Sequence, residues 1–422
     1  MTRLPLLAIL AWLSLPVGIA KAATVSVEPP GGFTLNAEPG EANDVTVTRR
    51  VDDDVVVFTD EGADLDAGPG CSQLAESVSC PDEETAGNVQ LGDGPDTVDF
   101  TGVAARFPTI FWTVGLGTGD DTYRGQSLGL NRVHPGEGDD QLFGGAGGEE
   151  FYVASGVEGE EDGADFIDGL GAAPSGEGNV LDLVSYEGRD GALELSLDGV
   201  ANDGAPGEGD QILNVSDLAG GGGADLITGD DRGNELFGSG GFDTIAGGPG
   251  GDRVDGGFGA PFGRTDNAAS SLEGGPGRDR VYGTGGGGEL DGGGSADLVG
   301  GGEGPEFLRG GPANDVVLGG GGEDLAQGGP DNDEVDGGRG DDSVRGQRGN
   351  DLVIGGFGDD VMRGGSGADT LSAAFILIGE NQVRRRERGA DQAGCGTGKD
   401  KALIDARDDA RDCEQTKLFP EP

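Results

Sequence analysis

The residues with chemistry to offer are carboxylates set at a fixed spacing. Between Gly220 and Ser372 the pattern GGxGxDxUx, with U aliphatic, repeats seventeen times without a register slip. Its sixth position is Asp in twelve copies: Asp225, Asp243, Asp252, Asp279, Asp297, Asp315, Asp324, Asp333, Asp342, Asp351, Asp360 and Asp369. The other five copies place Glu306, Asn234, Pro261, Ser270 and Gly288 there. Hard oxygen donors, in an array free of Cys and His, select calcium over transition metals. Glycines at the first, second and fourth positions permit the positive φ and close backbone approach that a carbonyl-lined turn needs. Four broken copies upstream put Asp96, Asp121, Asp140 and Asp165 in the same place, and a degenerate one at Gly144 to Tyr152 has Glu149 where Asp belongs.

Those turns need short strands to hold them. The eighth position is aliphatic in fifteen of the seventeen copies, failing at Gly263 and Ala326. One inward residue per short repeat cannot bury a face alone, so stacking must supply the core and the expected architecture is a solenoid. With 91 glycines and 5% aromatics the chain has too little bulk for wide layered cores. A formal charge of -52 repels nucleic acid and anionic membranes and attracts cations. The strict register argues against disorder, and a period of nine excludes collagen.

These repeats resemble those of the RTX family of calcium-binding β-roll proteins, closely from Gly220 to Ser372 and loosely from residue 88 to 219. The resemblance implies an all-β, right-handed parallel roll in which two nonapeptides make one coil. The first six residues of each would form a turn and the last three a strand, with calcium held between stacked turns by the sixth-position Asp, Glu306 included, and by turn carbonyls. Alternate repeats would then share an edge. One edge reads Asp225, Asp243, Pro261, Asp279, Asp297, Asp315, Asp333, Asp351, Asp369 and is nearly full; the other reads Asn234, Asp252, Ser270, Gly288, Glu306, Asp324, Asp342, Asp360 and is gapped in its middle. Stacked carboxylates repel, so calcium binding is expected to be coupled to folding.

Taken in order, residues 1 to 22 read as a secretory signal peptide, with Arg3, an apolar core and Ala20-Lys21-Ala22 as a cleavage site. Residues 23 to 87 read as a strand-rich N-terminal piece, 88 to 219 as an irregular solenoid, 220 to 372 as the regular roll and 373 to 422 as a C-terminal cap. Cys71 with Cys80 and Cys395 with Cys413 form two local pairs, expected as disulfides in an exported protein, although four cysteines permit three connectivities. The run Ala373 to Ile378 is the expected cover for the open end, and Arg384, Arg385, Arg386 and Arg388 a solvated basic rim.

Catalysis finds little support. With the single histidine His134, HExxH is impossible, and GxSxG does not occur. Tyr123, Tyr152, His134 and Asp140 are the only ingredients for a uronan epimerase or lyase working in the irregular coils; a calcium-dependent adhesin is a further alternative. The expectation is a secreted, monomeric, non-enzymatic calcium-binding protein of structural, surface or matrix type, with several calcium ions as its ligands, no nucleic-acid partner and no membrane insertion.

Overall fold

A computed structural model describes residues 23–27, 32–50, 54–81, 86–103, 111–126, 130–145, 147–153, 163–170, 182–257, 270–283, 286–373, 390–404 and 408–418. Residues 1 to 22, expected as a signal peptide, Pro261, the apolar run after Ala373 and the four arginines from Arg384 to Arg388 lie outside the described residues. No helix occurs among the described residues, and their strands make three sheets of 19, 9 and 11 strands. The sheet of 19 runs the length of the molecule; the sheet of 9 faces it in the N-terminal half and the sheet of 11 in the C-terminal half.

In the array each strand pairs in parallel with the strand one coil away, at an offset of eighteen residues. Val299, Val317, Val335 and Val353 follow one another on the first sheet, and Leu308, Ala326, Val344 and Met362 on the third. These are eighth positions, and all are fully buried. Successive side chains on a strand alternate in direction, so the seventh and ninth positions face outward while the eighth packs against its counterpart on the facing sheet. The core is therefore two aliphatic side chains wide per coil.

At one point the offset is twenty-seven instead. Ile245 pairs with Leu272, and Val254 pairs with Val281. One nonapeptide is left out of the stack, which corrects the expected edges: downstream repeats exchange sides. The reason is in the repeat from Gly256 to Arg264, which carries Gly263 where the inward aliphatic residue belongs. A coil built on it would leave a void, and pairing past it keeps the core filled.

The N-terminal piece is continuous with the roll. Strands Asp44–Arg50, Val55–Asp60 and Val78–Pro81 pair antiparallel, yet Asp44–Arg50 also runs parallel to Thr97–Gly102, and Phe33–Asn36 to Ala86–Asp93. Here the interior is wide and aromatic. Trp112 stacks on Phe33 at 5.8 Å and meets Phe100 at 4.8 Å, and the series continues through Tyr123 to Phe151. Where the second sheet gives way to the third, a small antiparallel excursion joins Glu194 to Gly204 and Asp203 to Asp210.

At the other end the roll extends past the repeats by two further coils. Gln392–Gly398 and Asp409–Arg411 continue the third sheet, and Lys401–Ile404 and Gln415–Leu418 continue the first. The inward residue shrinks and turns polar along them: Leu371, Ala402, Thr416 on one side and Met362, Ala393, Ala410 on the other. This taper lets the end meet water. Disulfide Cys395–Cys413 ties the two coils together, and Cys71–Cys80 closes a hairpin region at the opposite end.

Candidate metal centres on two stacked edges

Each turn folds its carboxylate back over the first glycine of its own repeat. A Cβ on Gly310, Gly328 or Gly364 would stand 2.7, 2.5 or 2.5 Å from the second oxygen of Asp315, Asp333 or Asp369. The fourth position stacks a carbonyl from the coil before: a Cβ on Gly340 or Gly358 would overlap the carbonyl oxygen of Gly322 or Gly340, and both glycines have positive φ, 133° and 146°. The turn is thus a close-packed cradle of main-chain oxygens with one carboxylate folded into it.

The carboxylates form two ladders, one along each edge. On the edge flanking the first sheet, Asn234, Asp252, Asp279, Asp297, Asp315, Asp333, Asp351, Asp369 and Asp400 succeed one another, each backbone N–H donating to Oδ1 of the next at 2.8–3.0 Å. On the other edge, Asp225 N–H donates to Asp243 Oδ1 at 3.0 Å and Asp243 N–H to Ser270 Oγ at 3.4 Å. After Gly288 this edge resumes with Glu306, Asp324, Asp342, Asp360, Asp391 and Asp408, at 2.8–3.1 Å. One ladder is unbroken from Asp252 onward, and the other is gapped at Ser270 and Gly288.

In most of these aspartates one oxygen is satisfied in this way and the other is not; at Asp225 the protein supplies the second donor, Gly221 N–H donating to Oδ2 at 2.8 Å. Oδ2 of Asp243, Asp252, Asp279, Asp297, Asp315, Asp324, Asp333, Asp342, Asp351, Asp360, Asp369 and Asp400 is buried with no hydrogen-bond partner. A buried acceptor without a donor is costly, and a row of them at one fixed place calls for a cation. Burial pushes Asp243, Asp315, Asp333, Asp342 and Asp360 up to about 7, against the pull of the neighbouring backbone N–H and with the charges of adjacent carboxylates adding to the rise. Burial, and then the facing Asp324 carboxyl, takes Glu306 to about 9. Among the described residues no three His, Cys, Asp or Glu side chains gather in one place, so side chains alone make no metal cluster. One carboxylate per turn, completed by carbonyls and water, is an all-oxygen donor set of the kind calcium takes.

The family model for the RTX calcium-binding nonapeptide repeat, in four copies, matches residues 129–156, 228–262, 300–335, 309–344 and 336–371. These stretches are RTX calcium-binding nonapeptide repeats. The molecule accordingly carries RTX calcium-binding repeats on an all-β parallel roll. No curated protein matches the chain.

The RTX ladder has an upstream counterpart on the second sheet. Asn43, Asp96, Asp121, Asp140, Asp165 and Asp210 are linked in the same sense at 2.6–3.0 Å, and burial raises Asp96 to about 6 and Asp121 to about 7. Oδ2 of Asp96 and of Asp121 is again buried without a partner. Elsewhere the protein supplies its own donor. Tyr186 Oη donates to Asp210 Oδ2 at 2.7 Å, and Gly145 N–H donates to Glu149 Oε2 at 3.0 Å. The roll thus distinguishes positions satisfied by protein from positions left open.

Asp210, Asp391, Asp400 and Asp408 were not recovered from the repeat pattern. Three carry a readable trace: Gly209-Asp210-Gln211-Ile212 preserves the turn and strand, while Asp391-Gln392-Ala393 and Asp400-Lys401-Ala402 put Ala where the pattern asks for a larger aliphatic residue. The four residues considered for epimerase or lyase chemistry do not assemble. His134 and Tyr152 stack outward on the first sheet at 5.2 Å, while Tyr123 is fully buried and hydrogen-bonded to Asn131, and Asp140 sits in the second-sheet ladder.

Proposed function

We propose that the protein is exported through its N-terminal segment and completes its fold outside the cell by taking up several calcium ions, serving there as a rigid, non-catalytic structural or surface component. The observation that carries this reading is the row of buried Oδ2 atoms with no donor, set beside turns whose carbonyls stack at the same place. The sixth-position aspartates, with Glu306, would hold the ions, and calcium would supply charge neutralisation and coordination there. Two disulfides fit an oxidising compartment. Antiparallel strands of the second sheet at one end and the polar taper at the other favour a monomer, since among the described residues both blunt the edges on which a further copy could stack.

The test is far-UV circular dichroism of the chain from Ala23 onward during calcium titration, with magnesium as control and chelator reversal. A cooperative gain of β signal with calcium, absent with magnesium, is expected. A β-rich spectrum indifferent to calcium would remove the metal from the argument.

A further inference from the structure

The outward ninth positions of the third sheet run Glu273, Asp291, Arg309, Gln327, Arg345, Arg363 on consecutive strands, so one face changes from acidic to basic along the roll. Arg309 belongs to the acidic side: its guanidinium lies 3.9 Å above the Phe307 ring and pairs with Glu289 and Asp291. Arg345 and Arg363 are different. They lie directly across from each other on neighbouring strands, neither forms an ion pair among the described residues, and Arg345 Nε is buried without an acceptor. Like charges set opposite each other on a sheet are destabilising, and a buried guanidinium donor without an acceptor adds to that cost. An anion shared by the two guanidinium groups removes the first of these costs.

We propose that Arg345 and Arg363, with Gln327 beside them, bind a linear carboxylated glycan laid across the strands of the third sheet. A guanidinium fork matches a carboxylate with two parallel hydrogen bonds. Neighbouring strands are about 4.8 Å apart, close to the advance of one sugar unit, so carboxylates on successive sugars meet successive arginines. The adjacent outward row, Leu325, Ser343 and Val361, is half-buried and mostly apolar, suited to sugar C–H faces. Nucleic acid fits less well, because the nearby aromatic ring of Phe307 is already covered by Arg309 and is not free to stack on a base.

This inference rests on the calcium-folded reading, since metal-free ladders carry the negative charge that would oppose a polyanion. The chain from Ala23 onward, loaded with calcium and first shown by circular dichroism to be folded, is titrated calorimetrically with a short oligogalacturonate. A malto-oligosaccharide, an oligothymidylate and a protein-free calcium blank are the controls. Arg345→Ala with Arg363→Ala should weaken uronate binding by at least about tenfold, the corresponding Lys pair should fall between, and Arg339→Ala on the first sheet should change nothing. Equal uronate affinity in the double variant, no uronate binding by the folded chain, or equal binding of the oligothymidylate through the same arginines overturns the proposal. Failure to fold with calcium overturns the calcium reading first, and this proposal with it.

Discussion

Asp333 sits inside the unbroken ladder, between Asp315 and Asp351. Replacing it by Asn keeps an oxygen to accept the Asp315 N–H and removes one charge. Coils stand about 4.8 Å apart, so each carboxylate pair repels by roughly 0.9 kcal/mol in water and about 3.5 kcal/mol at an effective dielectric of 20. Asp333→Asn relieves two such pairs, about 2 to 7 kcal/mol, a large share of the roughly 5 to 15 kcal/mol that holds a domain together. The chain itself shows that the amide is accommodated: Asn234 Oδ1 accepts from Asp230 N–H at 2.9 Å, and its Nδ2 donates to the Ser216 carbonyl at 3.0 Å. The variant should therefore gain β structure in chelator, and need more calcium for its remaining transition because a carboxylate ligand is gone. Far-UV circular dichroism at pH 8, above the value of about 7 to which burial raises Asp315 and Asp333, reads both effects. A variant less folded than the parent in chelator, or with the same calcium midpoint, would refute the reasoning.

Protons should substitute in part for calcium. Because burial raises the ladder aspartates from 3.8 to about 6 or 7, the folded state binds protons more tightly than the unfolded one. The resulting stability is fully present below about pH 4 and is lost as pH rises through about 6 to 7, so metal-free protein should gain β signal when acidified from pH 8 to 5. The calcium midpoint should rise over the same interval as protons compete. Gly340→Ala should cost about 1–3 kcal/mol or more through strained φ and overlap with the Gly322 carbonyl, whereas Gly294→Ala, with nothing within 4 Å of its Cβ position, should be nearly silent in the same calcium melts. Trp112→Ala should cost about 3–5 kcal/mol by emptying the aromatic cluster, and calorimetry should show the loss with calcium and with chelator alike, because that cluster contains no ladder carboxylate.

The roll was legible because its period is rigid. An aliphatic residue every nine positions fixes strand, face and stacking together, and the local disulfide pairs followed from cysteine spacing. The edge assignment failed at a single residue. Gly263 signalled a missing core side chain, but unbroken register in the sequence conceals a repeat that the stack passes over. The union of residues 23–87 with the sheets was hidden for another reason. Their strands lack the nonapeptide and pair by hydrogen bonds to distant backbone, and the alternation that makes them strands does not name their neighbours. The aromatic core was underestimated because the bulk is concentrated: Phe33, Phe58, Phe100 and Trp112 sit together rather than being diluted along the chain.

The skipped nonapeptide sets a rule for how such a chain can change length. Two repeats make one coil, so gaining or losing eighteen residues shifts the downstream turns by a whole step and preserves every pairing. Gaining or losing nine sends each later turn to the opposite edge and each outward side chain to the opposite sheet. Between Gly257 and Ser270 this has already happened, and the sixth-position carboxylates from Asp279 to Asp369, with Arg309, Arg345 and Arg363, stand on the side opposite to the one their repeat numbers assign. Lineages of this chain that differ by an odd number of repeats would turn different faces to their surroundings while keeping the same interior.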